Sequence, residues 1–76
     1  MLTLDELNDK VGAVYPITEQ QFNFAKQFVA HGNGMRAVRE AGYQHSTPGS
    51  QSSAAYRLLR LEKIQKAIEI IKAHEG

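Results

Sequence analysis

Seventy-six residues with no cysteine and a formal net charge of +1 define one small domain, near the size at which a single hydrophobic core is only marginally stable alone. Disulfides and thiolate metal sites are excluded, and the composition fits a reducing compartment. No apolar run approaches the roughly 20 residues that cross a bilayer, and acidic residues stand early where a secretory signal would be basic and then apolar, so no membrane partner is expected.

The charge is unevenly spread. Residues 1 to 20 carry Lys10 against Asp5, Glu6, Asp9 and Glu19, a balance of −3, while residues 21 to 76 carry eight Lys or Arg against four Glu, a balance of +4. Between Lys26 and Lys66 stand seven basic and two acidic residues. That excess favours a polyanion, although solvated helix faces explain the same count.

Every element signal is helical, and the predicted fold is an all-α domain of four to five helices containing a helix-turn-helix. Thr3 and Glu6 form a capping box for a helix over Leu4 to about Val11, with Leu4, Leu7 and Val11 on one face and Gly12 as its stop. Gly12 to Ile17 reads as a connector, because Pro16 disfavours a helical Tyr15. Thr18 and Gln21 open a second helix to about His31, in which Phe22, Ala25 and Val29, flanked by Phe24 and Phe28, form a wide apolar stripe. This is the expected core helix.

Gly32 suits a left-handed stop and Asn33 an N-cap. The third helix, Gly34 to Ala41, turns Ala37, Val38 and Ala41 inward, with Met35 nearby and Arg36, Arg39 and Glu40 elsewhere; Gly42 ends it, and Tyr43 is expected to tuck back as the apolar contact of that stop. After Gln44-His45-Ser46, Thr47 followed by Pro48 starts a fourth helix to Arg60. Ala54, Ala55, Leu58 and Leu59 face the core, and Ser50, Ser53, Arg57 and Arg60 form a polar stripe. Pro48, Gly49 and the serines make a weak start, so this first turn is expected to order on a partner. From Leu61 to about Ala73, Ile64, Ala67, Ile68 and Ile71 repeat at three, four and three residues, a seam suited to another helix. Leu61-Glu62-Lys63 contains no breaker, and a continuous fourth and fifth helix stays open.

No group of residues stands at catalytic spacing. His31, His45 and His74 lack metal-ligand spacing, Gly32-Asn33-Gly34 lacks the lysine and preceding strand of a phosphate loop, and Glu6 and Glu19 are better explained near helix starts than as an acid/base pair. Neither an enzyme nor a metal or other cofactor is expected. A helix-turn-helix instead needs short polar side chains at the start of its second helix for base edges, and arginines for phosphates. The candidate DNA-binding residues are Arg36, Arg39, His45, Ser46, Thr47, Ser50, Gln51, Ser53, Arg57 and Arg60. Thr47 also reads as a cap, Gln51 as partly inward and Arg60 as a cover for apolar surface. Tyr56 borders the apolar face, and core packing is preferred there over contact with DNA.

These residues resemble a family, the N-terminal DNA-binding domain of the phage terminase small subunit. The likeness lies in Ile17-Thr18-Glu19-Gln20-Gln21-Phe22, in Phe28-Val29 leading to Gly32-Asn33, in Ala37 with Ala41-Gly42-Tyr43, and in Arg57-Leu58-Leu59, over about residues 17 to 70. The Gln44 to Gly49 loop is longer than the family's, and Leu61-Glu62 replaces its Asn-Pro. The resemblance implies a non-catalytic subunit that binds double-stranded viral DNA at the packaging start site in the host cytoplasm, forms a homo-oligomeric ring in the full-length protein and presents DNA to the terminase large subunit. On this reading residues 1–76 form one DNA-binding domain: N-terminal helix and connector over 1–16, core with the helix-turn-helix over 17–60, and a C-terminal helix over 61–76 leading to an oligomerisation region outside this sequence. The alternatives are a phage or bacterial helix-turn-helix transcriptional regulator, binding an operator as a dimer, and a helical protein-interaction module that lays Ile64, Ile68 and Ile71 in a partner's groove.

Overall fold

The computed structural model describes residues 2–43 and 47–75. Five helices follow one another: α1 (Leu4–Val11), α2 (Glu19–His31), α3 (Gly34–Glu40), α4 (Pro48–Arg60) and α5 (Glu62–Glu75). No strand occurs among the described residues, so the expected all-α class holds.

The caps fix the first two helices. Thr3 Oγ1 accepts from the Glu6 N–H at 3.2 Å while Glu6 Oε1 accepts from the Thr3 N–H at 3.4 Å. Thr18 and Gln21 repeat the exchange at 3.2 and 3.0 Å. Each box satisfies N–H groups that a helix start leaves without intrahelical partners. Gly12 and Gly32 end these helices at φ of 65° and 67°, the left-handed region in which a β-carbon is costly. Between α1 and α2 the connector is clamped by one side chain: Asn8 Nδ2 donates to the Ile17 carbonyl at 3.1 Å, and Asn8 Oδ1 accepts from the Ile17 N–H at 2.7 Å.

The stop after α3 is a Schellman motif. The Tyr43 N–H donates to the Val38 carbonyl at 3.2 Å and the Gly42 N–H to the Arg39 carbonyl at 3.1 Å, with Gly42 at φ 84°. Tyr43 then packs against the core, as expected of the residue after such a glycine. Gln44, His45 and Ser46 lie outside the described residues. The first turn of α4, expected to need a partner, is helical in the chain itself: Asn33 and Thr47 cap α3 and α4, each accepting a backbone N–H three residues on at 3.1 Å. Pro48 stands at the start, where its missing donor costs little.

The chain breaks between α4 and α5 although the sequence offers neither Gly nor Pro there. Leu61 alone is extended, at φ −70° and ψ 126°. Its carbonyl accepts from the N–H groups of Ile64 and Gln65 at 3.0 Å, its N–H donates to Leu58, and the Gln65 side chain donates to the Leu59 carbonyl at 3.0 Å. These bonds take up part of the free backbone groups at both helix ends. In one straight helix Leu58 and Ile64 would lie about 120° apart around the axis. A single extended residue lets both face the same core, and it leaves Leu61 40% exposed.

That core joins Leu7 of α1, Phe22, Phe24 and Ala25 of α2, Ala37 and Val38 of α3, Ala55 and Leu58 of α4, and Ile64, Ala67, Ile68 and Ile71 of α5. α2 touches both α3 and α5, which makes it the central helix. The α5 seam is fully used here. Ile64, Ile68 and Ile71 are buried within the chain: the seam meets other helices, as expected, and these are α1, α2 and α4 of its own domain, which counts against the alternative that lays it in a partner's groove.

Candidate nucleic-acid interface

α4 separates its residues sharply between two sides. At 100° per residue, Ala55 and Leu58 point into the core with Gln51, Ala54 and Leu59 beside them, whereas Gly49, Ser50, Ser52, Ser53, Tyr56, Arg57 and Arg60 are exposed. The exposed arc covers roughly 160° of the helix circumference. Its N-terminal half carries only glycine and serine side chains, so another surface can come close to the helix backbone. Its C-terminal half carries one aromatic and two arginines. α4 contains no acidic residue, and the positive end of its dipole lies on the serine side. Two shallow concavities flank Arg57 and share Gly49 and Ser53; Ser50 and Ala54 complete one, Ser52 and Tyr56 the other.

The structure brings Ser50, Ser53, Arg57 and Arg60 to this one exposed face. Thr47, beside them, is committed to its cap, and its hydroxyl donates to Ser50 Oγ at 3.0 Å. Gln51 is half-buried, toward the inner side. On α3, Arg36 lies 3.8 Å from Glu40 in an exposed ion pair, while Arg39 is exposed with no carboxylate among the described residues within ion-pair distance. His45 and Ser46 fall outside the described residues.

Tyr56 requires a correction. Core packing was the preferred expectation, yet the side chain is 63% exposed. Its ring lies under the Arg60 guanidinium, 5.4 Å from centroid to Cζ, and its hydroxyl accepts from Arg60 Nη1 at 3.3 Å. The reason is rotational: Ala55 and Leu58 define the inward direction, and Tyr56, one residue past Ala55, is carried to the exposed side. Arg60 therefore covers a tyrosine ring in addition to reaching solvent.

One positioning residue escaped the sequence. A β-carbon on Gly34 would stand 3.0 Å from Ala55 Cβ and 3.7 Å from Leu59 Cδ1, so Gly34 sets how closely α3 approaches α4. The signal was present in Gly34 together with the Ala54-Ala55 pair, since small residues opposite each other mark a close helix crossing. Tyr43, beyond α3, is a second positioning residue, and its inward packing is the one expected after the Gly42 stop. Burial raises its phenol above the ordinary value of 10.0, consistent with a ring anchored where the loop toward α4 begins.

Among the described residues no helix is long and apolar enough to cross a membrane. Neither a curated protein nor a solved structure matches the chain. A family model described as terminase small subunit matches residues 17–75, which takes in α2 through α5 and leaves out α1 and most of the connector. Most of the chain lies within the match, including both capped helices that frame the exposed face. The chain therefore belongs to the terminase small subunit family.

Proposed function

We propose that this domain is a non-catalytic DNA-binding module of a genome-packaging apparatus, with α3 and α4 acting as a helix-turn-helix and the exposed face of α4 set against duplex DNA. The observation that carries the reading is the acid-free face of α4, small at its N-terminal end and cationic at its C-terminal end. Small polar side chains let a helix enter a groove, and arginines on the same helix reach the flanking phosphates. Ser50 and Ser53 are the base-edge candidates, Arg57 and Arg60 the backbone clamps, and Arg39 a further phosphate contact from α3. Family membership favours viral DNA at a packaging start site over an operator, with the terminase large subunit as the recipient of the bound DNA.

One module carries few cations. Several modules on a homo-oligomer raise effective concentration without strengthening any single contact, and that arrangement suits this domain. Amide shift mapping tests the reading, with phage end-site DNA and an unrelated duplex as the two ligands. Shifts concentrated over residues 36 to 60 are expected with both, larger for the end-site duplex. Shifts confined to α5, or none even at low salt, overturn it.

A further inference from the structure

We propose that Tyr56 and Arg60 form a single preassembled phosphate-binding unit, in which the phenol holds the guanidinium in place and contributes its own hydrogen to the same phosphate oxygen. The inference rests on the DNA-binding reading and adds to it a ligand class and a residue that composition and spacing had placed in the core.

Three features of the pair support it. Tyr56 is a large, exposed aromatic on the one helix face that combines arginines with no acid. Such a side chain covers no core, so hydrophobic packing does not account for its position. Next, the hydroxyl oxygen is used as an acceptor by Arg60 Nη1 at 3.3 Å. A phenol has one donor hydrogen besides its acceptor capacity, and a guanidinium has five N–H donors. After the contact between them, the hydroxyl hydrogen and the remaining guanidinium donors stay available on the exposed side. Their natural complement is an oxyanion, and phosphate is the one that a duplex supplies in a regular row.

The third feature is entropy. An isolated surface arginine has many rotamers, and ordering one on binding costs conformational entropy. Stacking on the Tyr56 ring at 5.4 Å removes part of that freedom before the ligand arrives. Arg57, next to the same concavity, has no such partner among the described residues and serves as the internal comparison.

The test is a double-mutant cycle on the full chain, read as binding to a mixed-sequence duplex of about two helical turns across a salt series. Tyr56→Phe keeps the ring and removes the hydroxyl. It is expected to weaken binding about fivefold with an unchanged salt slope and an unchanged melting temperature, because no charge and no buried group is lost. Arg60→Ala is expected to weaken binding and lower the salt slope by about one. The double variant is expected to be no weaker than Arg60→Ala alone, since the hydroxyl without its arginine is no longer a paired donor. Two results separate the failures. If Arg57→Ala weakens binding while Tyr56→Phe does nothing, or the losses of Tyr56→Phe and Arg60→Ala simply add in the double variant, the unit does not exist although α4 binds DNA. If neither Arg57→Ala nor Arg60→Ala alters affinity, the DNA-binding reading itself fails.

Discussion

At the scale of single residues, the exposed face of α4 turns on which arginines are free to act. Arg36 already has Glu40 at 3.8 Å, and Arg60 already has Tyr56, whereas Arg57 lines both shallow concavities with no carboxylate partner among the described residues. Removing it costs the fold nothing that the structure reveals, so any loss belongs to the ligand. Arg57→Ala is expected to weaken binding to end-site and unrelated duplexes by a similar factor and to flatten the dependence of log affinity on log salt by about one phosphate's worth. Titration at several salt concentrations checks this; an unchanged slope removes Arg57 from the interface. Ser53→Ala differs in kind, because a serine at a base edge alters the ratio between the two duplexes and leaves the salt slope alone.

At the scale of elements, the proposed interface depends on how α3 seats α4. The 3.0 Å distance from a β-carbon on Gly34 to Ala55 leaves almost no slack. Gly34→Ala is expected to be close to neutral, since crowding of a few tenths of an ångström opposes a gain in helix propensity of at most about 1 kcal/mol. Gly34→Val forces the helices apart and is expected to destabilise by about 1 to 3 kcal/mol. Chemical denaturation of the pair checks the contrast, and equal losses in both would mean that helix start chemistry, not spacing, decides the position. The stop after α3 gives a pH prediction. Burial raises the Tyr43 phenol above 10.0, so the fold favours the neutral ring. That contribution is complete below the unfolded pKa and is lost as pH rises through the higher folded value. Stability is expected to fall above about pH 10, less steeply in Tyr43→Phe, as followed by melting temperature against pH.

The same elements explain how far sequence alone could go. The capping boxes at Thr3 and Thr18, the glycine stops at Gly12, Gly32 and Gly42, and the Thr47-Pro48 start were legible because each is local chemistry within three or four residues. Leu61 was not, since its extended backbone answers a demand of the core: Leu58 and Ile64 must meet the same neighbours. Tyr56 was misplaced for a related reason. A residue on the border of an apolar stripe is assigned by the helix's exact rotation, which is set by Ala55, Leu58 and the close contact at Gly34. The polar stripe of Ser50, Ser53, Arg57 and Arg60 was readable from spacing, and so were the capping role of Thr47 and the inward lean of Gln51.

At the scale of the whole molecule, the proposed binding face and the core-forming face lie on different sides of α4, and a domain this small makes that separation testable. α5 is the element that closes the core, resting on α1 and α2, and also on α4, through Ile64, Ala67, Ile68 and Ile71. Ile64 is completely buried. Deleting most of its side chain is expected to cost about 2 to 5 kcal/mol, transfer and cavity terms together. A domain of this size has little more than that to lose. Ile64→Ala is therefore expected to be largely unfolded at 37 °C and to lose DNA binding as a consequence, whereas Arg57→Ala melts like the parent and loses binding alone. The decisive measurement is affinity for the Ile64→Ala chain at about 5 °C in a stabilising osmolyte, with folding monitored by circular dichroism in the same sample. Recovery of helix signal with recovery of parental affinity places Ile64 wholly in the scaffold. Recovery of helix without affinity would mean that α5 takes part in the interface, and the division between a stabilising inner side and a binding outer side would have to be abandoned.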